Sequence, residues 1–147
     1  MYSSIVVGTD GSSTARQAVY QAAELAKLSG AKLHLVSAYR PPSQVAAFGP
    51  GLDAMIVSPP SDDEVRAEVE SILAEAAREI EGQGVAVERY VVPGNAAEAI
   101  LEVAESQGAD LVVVGSRGMG GARRFLGSVP NSVSHHAPCS VLIVHTA

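Results

Sequence analysis

Three short runs of continuous apolar, mostly β-branched residues constrain this chain more than any other feature: Ile5 to Val7, Leu111 to Val114 and Val141 to Val144. A strand with one wet face alternates apolar and polar residues, whereas a strand covered on both faces does not need to. These runs therefore belong to a parallel sheet with helices packed on each side. The predicted strands are Ser4 to Thr9, Lys32 to Ala38, Val85 to Val92, Asp110 to Gly115 and Ser140 to His145.

Helical periodicity fills the intervals, at about Ser13 to Leu28, Asp62 to Glu81, Ala96 to Gln107 and Val129 to His136. The second helix places Val65, Val69, Ile72, Leu73, Ala76 and Ile80 on one stripe, and Ser61 with Glu64 has the spacing of a capping box. In the third, Asn95 and Glu98 repeat the start signal, and Ile100, Leu101 and Ala104 are expected to be buried. Regular alternation of strand and helix predicts right-handed βαβ crossovers and an α/β, doubly wound, open parallel five-stranded sheet. One domain spanning residues 1–147 is expected, since 147 residues with 47% hydrophobic content suit a single core. The segment from Arg40 to Pro60 holds five of the eight prolines and is expected to be a long loop.

Composition narrows the function. A formal charge of −6 argues against non-specific nucleic-acid binding, whose phosphates reward a basic surface. No apolar run reaches the roughly 18 to 20 residues that span a bilayer, and the first residues lack a secretory pattern. The lone Cys139 has no partner for an internal disulfide, which together points to the cytoplasm. His135 and His136, adjacent on a helix, point in different directions and do not suit a metal. No catalytic constellation is evident: there is no GxSxG elbow and no Walker A lysine.

Ligands of open parallel sheets bind beyond the carboxyl ends of the strands, where strand order reverses. Two loops at such ends are rich in glycine and hydroxyls: Gly8 to Ser12 and Gly115 to Pro130. In the second, Gly115, Gly118, Gly120 and Gly121 allow backbone N–H groups to approach an anion closely. Gly127, Ser128, Val129 and Pro130 then read as a helix start with Ser128 as N-cap, a second source of phosphate-binding N–H groups. Arg117, Arg123 and Arg124 lie in the same stretch. Asp10 admits two readings, an Asx turn or a carboxylate facing ribose or a phosphate-bound metal.

Taken in order, IVVGTDGS, DLVVVGSRG, GSVPNSV and HAPCSVLIVH resemble the universal stress proteins over essentially the whole chain. Members of the ATP-binding type carry a glycine, two residues, a glycine, nine residues, then Gly-Ser or Gly-Thr. Gly115, Gly118 and Gly127-Ser128 match, with a spacer of eight residues from Met119 to Leu126. The resemblance implies a flavodoxin-like strand order 3-2-1-4-5, a homodimer through the C-terminal strand, and ATP, with Mg2+ as a companion ion, as ligand. It places Thr9 and Asp10 by ribose and phosphates, Ala38 and Val114 against adenine through backbone groups, and Gly115, Gly118, Gly127, Ser128 and Val129 around phosphates and ribose.

The expected function is adenine-nucleotide binding in stress signalling, with at most slow hydrolysis. Cyclic AMP is the alternative ligand, and a structural interaction protein with an empty site is a further one. An adenylate-forming enzyme is disfavoured, since neither HIGH-type nor SGGxDS-type motifs occur. Gly118→Val is expected to weaken nucleotide binding about a hundredfold by removing two or three charge-assisted bonds to phosphate. Isothermal titration with ATP and cyclic AMP checks this, with circular dichroism to show that the variant folds; parent-like affinity would reduce Gly118 to a turn residue.

Overall fold

The computed structural model describes residues 1–41, 60–116 and 127–146. The elements run β1 (Ser4–Gly8), α1 (Ser13–Ser29), β2 (Lys32–Tyr39), α2 (Asp62–Glu81), β3 (Val87–Pro93), α3 (Ala96–Ser106), β4 (Leu111–Gly115), α4 (Ser128–His136) and β5 (Ser140–Val144). All five strands are parallel, in the order β3-β2-β1-β4-β5. The register sets Val6 beside His34 and Val112, and Val113 beside Leu142. Most of the segment expected to be a long loop, at 42–59, lies outside the described residues.

Strand alternation divides the apolar runs between two cores. Ile5, Val7, Leu33, Leu35, Leu111 and Val113 face one side, where Ala18 and Ala22 of α1 and Leu73 and Ile80 of α2 cover them. Val6, Val36, Val112 and Val114 face the other, under Ile100, Val103 and Ala104 of α3 and Val133 of α4. The apolar runs of β1 and β4 are thus unbroken because each face of the sheet has its own pair of helices. Removing roughly 100 Å2 of apolar surface from water contributes about 2.5 kcal/mol, so burial in both layers stabilises the fold. Cys139 packs at the edge of the second core, and burial pushes its thiol up.

Caps fix the helix starts. Ser12 caps α1 by accepting from the Ala15 N–H at 3.2 Å, Ser61 caps α2 through the Glu64 N–H, and Asn95 caps α3 through the Glu98 N–H at 2.8 Å. Several expected boundaries move. The strand expected from Val85 starts at Val87 and takes in Pro93, which an edge strand tolerates because no neighbour needs its N–H. Asp110 stays out of β4 and instead accepts from the Ser3 and Ser4 N–H groups, at 2.9 and 3.1 Å, tying the starts of β1 and β4. Leu101 is half-buried rather than buried, because it lies beside the stripe that Ile100 and Ala104 present to the sheet.

A polar chain crosses the amino end of the sheet. Lys32 pairs with Glu88, Tyr90 donates to Glu88 at 2.6 Å, and His34 Nδ1 lies 2.9 Å from the Tyr90 hydroxyl. Since the Tyr90 proton goes to Glu88, its oxygen accepts from His34 Nδ1–H. His34 Nε2 then accepts from Ser4 Oγ at 3.1 Å, which defines the neutral tautomer.

Burial holds the His34 pKa below its usual 6.5, with Lys32 adding to the effect and Glu88 opposing it. The unfolded chain therefore takes up a proton at this residue before the folded chain does. Its contribution to stability is complete above about pH 6.5 and is lost as pH falls from there through the lower folded value. Denaturant unfolding from pH 7.5 to 5.5 is expected to show a decline in stability that His34→Gln flattens; an equal decline in the variant would assign it to other groups.

Candidate functional site

The chain leaves β1 for β2 on one side and returns from β3 to β4 on the other, so the connections diverge between β1 and β4. A crevice of about 660 Å3, open to solvent, lies at the carboxyl ends of these strands. Its floor and one wall are apolar: Val36 and Ala38 of β2, Val114 of β4 and Ile100 of α3. Ile100 lies so close to Gly8 that its Cδ1 occupies the space a Cβ there would enter.

Every helix that follows a strand begins at this end, and three of them contribute to the crevice: Ser12 and Ala15 from α1, Ala96 from α3, Val129 and Pro130 from α4. Their dipoles converge positive ends first, which favours an anion. Two of these starts are closed by side chains, Ser12 and Asn95. The third differs. Gly127, not Ser128, is the N-cap of α4, and no side chain caps it. The reason is positional: Ser128 already has helical backbone, and the Gly127 carbonyl accepts the first helical bond from Asn131 at 3.1 Å. The Gly127 N–H is bonded to the Ser116 carbonyl at 3.0 Å, and Pro130 has none. That leaves the N–H groups of Ser128 and Val129 as the donors at this terminus.

The loop after β1 is tightly tied. Thr9 extends the ladder through its N–H to the Val36 carbonyl at 2.9 Å, and its Oγ1 accepts from the Gly11 N–H at 3.1 Å. Asp10 Oδ1 accepts from the Ser12 N–H at 2.9 Å, so the Asx turn is formed. Gly11 has φ +81°, and a Cβ there would come within 3.0 Å of Ile72, so both backbone and space require glycine. Asp10 still lines the crevice and is its titratable side chain among the described residues. No group of three or more metal-ligating side chains occurs among those residues.

Of the residues singled out from sequence, the crevice brings together Thr9, Asp10, Ala38, Val114, Gly115 and Val129, with Gly127 and Ser128 at the adjoining helix start. Gly118, Gly120, Gly121 and the three arginines at 117, 123 and 124 lie outside the described residues. Sequence reasoning missed Ala15, Val36, Ala96 and Ile100 as lining. The helix-start signal at Asn95 pointed to the last two, since a helix following a strand must begin at the ligand end of the sheet. A second groove runs between α1 and α2, past Val19, Ile72, Ala76 and Ile80. Its walls are helix flanks whose backbone groups are bonded within the helices, and its polar side chains are Thr9, Arg16, Tyr20, Glu75 and Glu79.

The universal stress protein family model matches residues 1–145. Universal stress protein Rv1636 of Mycobacterium tuberculosis is 37% identical over 99% of this chain and 97% of its own. Universal stress protein YxiE of Bacillus subtilis is 34% identical, covering 98% of this chain and 99% of its own. Among solved structures, a universal stress protein in complex with cAMP superposes with a TM-score of 0.73 at 35% identity, covering 99% of this chain and 98% of that one. On sequence and on fold alike, this chain belongs to the universal stress protein family.

Proposed function

We propose that the chain binds an adenine nucleotide in the crevice between β1 and β4 and acts through that binding. The observation that carries this is the uncapped start of α4 beside an apolar wall: two backbone donors stand next to Gly115, at the edge of the crevice. Val36, Ala38, Ile100 and Val114 suit the base, which needs shape and apolar contact. Asp10 suits a ribose hydroxyl, since one carboxylate oxygen is held by the Ser12 N–H while the other has no hydrogen-bond partner among the described residues. Ser128 and Val129 suit phosphate. Cyclic AMP is the ligand we favour, because a relative 35% identical has been solved with it. ATP, with Mg2+, is the second reading, favoured by Gly115 and Gly127-Ser128 at the positions of the ATP-type motif.

A homodimer through β5 is part of the proposal. This strand is short, lies at the sheet edge, and leaves Leu142 37% exposed. The opposite edge, β3, carries Glu88 and Arg89 and ends in Pro93, features that discourage edge pairing.

Titration calorimetry with cyclic AMP, AMP and ATP is expected to give saturable binding of one nucleotide per chain. Asp10→Ala is expected to weaken it about ten- to a hundredfold, the value of one hydrogen bond to a charged group. If no adenine nucleotide binds at millimolar concentration, the assignment is wrong. Sedimentation at micromolar concentration is expected to show a dimer that Leu142→Lys shifts to monomer; a monomeric parent would remove β5 as an interface.

A further inference from the structure

Ser116 follows the ligand-lining Gly115 and does not itself line the crevice, yet it is bonded in three directions. Its N–H donates to the Val144 carbonyl at 2.8 Å, carrying the β4 and β5 ladder one step past the last paired residues. Its carbonyl accepts from the Gly127 N–H at 3.0 Å. Its side-chain Oγ accepts from the Thr146 N–H at 3.0 Å and lies 3.4 Å from Thr146 Oγ1. Thr146 is fully buried.

We propose that Ser116 is a positioning residue for the phosphate-binding end of α4, and that Thr146 holds it in place. This deepens, and rests on, the nucleotide reading above. The chain leaves β4 at Ser116 and re-enters the described structure at Gly127, and the bond between these two residues ties the helix start to the end of the strand. The Ser128 and Val129 donors follow directly from Gly127. Their distance from Val114 and Ala38, where the base is placed, is therefore set by how firmly Ser116 is held. Two of its three bonds are backbone bonds at frayable ends, one the last rung of an edge ladder and one a helix cap. The third, from the side chain to a buried threonine, anchors the residue to packed structure. Without it the end of β4 frays, and Gly127 moves with it. A hydrogen bond weakens steeply as its angle departs from linear, so small shifts of the helix start act on phosphate and spare the base.

The test compares the parent with Ser116→Ala, Ser116→Thr and Ser116→Cys, using cyclic AMP, AMP and adenosine as probes, together with amide exchange at residues 127–129. Ser116→Ala is expected to raise the Kd for cyclic AMP and AMP about three- to tenfold, leave adenosine within about twofold, and speed exchange at Gly127 and Val129. Ser116→Thr, which keeps the hydroxyl, is expected to restore both readouts. Ser116→Cys is nearly isosteric with a weaker acceptor and is expected to fall between them, which serves if the alanine variant fails to fold. Unchanged exchange and affinity in a folded variant, or equal loss for adenosine and cyclic AMP, would overturn the positioning role while leaving the nucleotide reading intact. A parent that binds none of the three probes would overturn the nucleotide reading, and the inference with it.

Discussion

The burial of β1 and β4 on both faces is the constraint from which the rest of this structure follows. Val6 and Val112 point into one core and Val7 and Val113 into the other, so neither core can be removed without exposing a central strand. Helices must then lie on each side, and a parallel sheet obliges every connection to run back along a helix before the next strand begins. A consequence is polarity. The four helices among the described residues all start at the carboxyl end of the sheet, and three of their first turns meet where the connections part between β1 and β4. The crevice and its attraction for an anion are thus properties of the topology before any particular side chain is considered.

The two ends of the sheet use polar groups differently. At the amino end they are closed on one another: Asp110 with Ser3 and Ser4, and the chain from Lys32 through Glu88 and Tyr90 to His34 and Ser4. No buried side-chain nitrogen or oxygen among the described residues lacks a partner, so this end stabilises without inviting a ligand. At the carboxyl end, two helices are closed by Ser12 and Asn95, whereas α4 is left open, with glycine at its cap and proline in its first turn. A helix start open to solvent loses little, because water satisfies its N–H groups. Those groups remain exchangeable for the oxygens of an anion, the condition that a reversible nucleotide site, as proposed, requires.

On the proposed reading, an apolar wall, a carboxylate and backbone donors divide the recognition into parts that respond to different features of a nucleotide. The wall comes from β2, β4 and α3, the carboxylate from the turn after β1, and the donors from α4. These segments are far apart in the chain, so their spacing depends on the sheet register and on the bonds that tie loop ends to it, those of Thr9 and Ser116 among them.

By itself, the sequence determined the five strands, the four helices, their alternation and hence the fold class, because apolar periodicity reports burial directly and the buried faces here are long. Cap residues at Ser61 and Asn95 and glycines at Gly8, Gly11 and Gly115 also marked where the ligand end had to be. Tertiary structure decided what periodicity does not encode. Ile100 and Ala96 became crevice lining only because α3 crosses over β1 and β2, and a residue's place on an amphipathic stripe does not say which part of the sheet it will cover. Gly127 rather than Ser128 became the cap because Ser128 already has helical backbone and the Gly127 carbonyl accepts the first helical bond, while the Ser116 carbonyl holds the Gly127 N–H across ten intervening residues with no local signature. Local pattern sets which groups need partners; the packed sheet sets which partners are within reach.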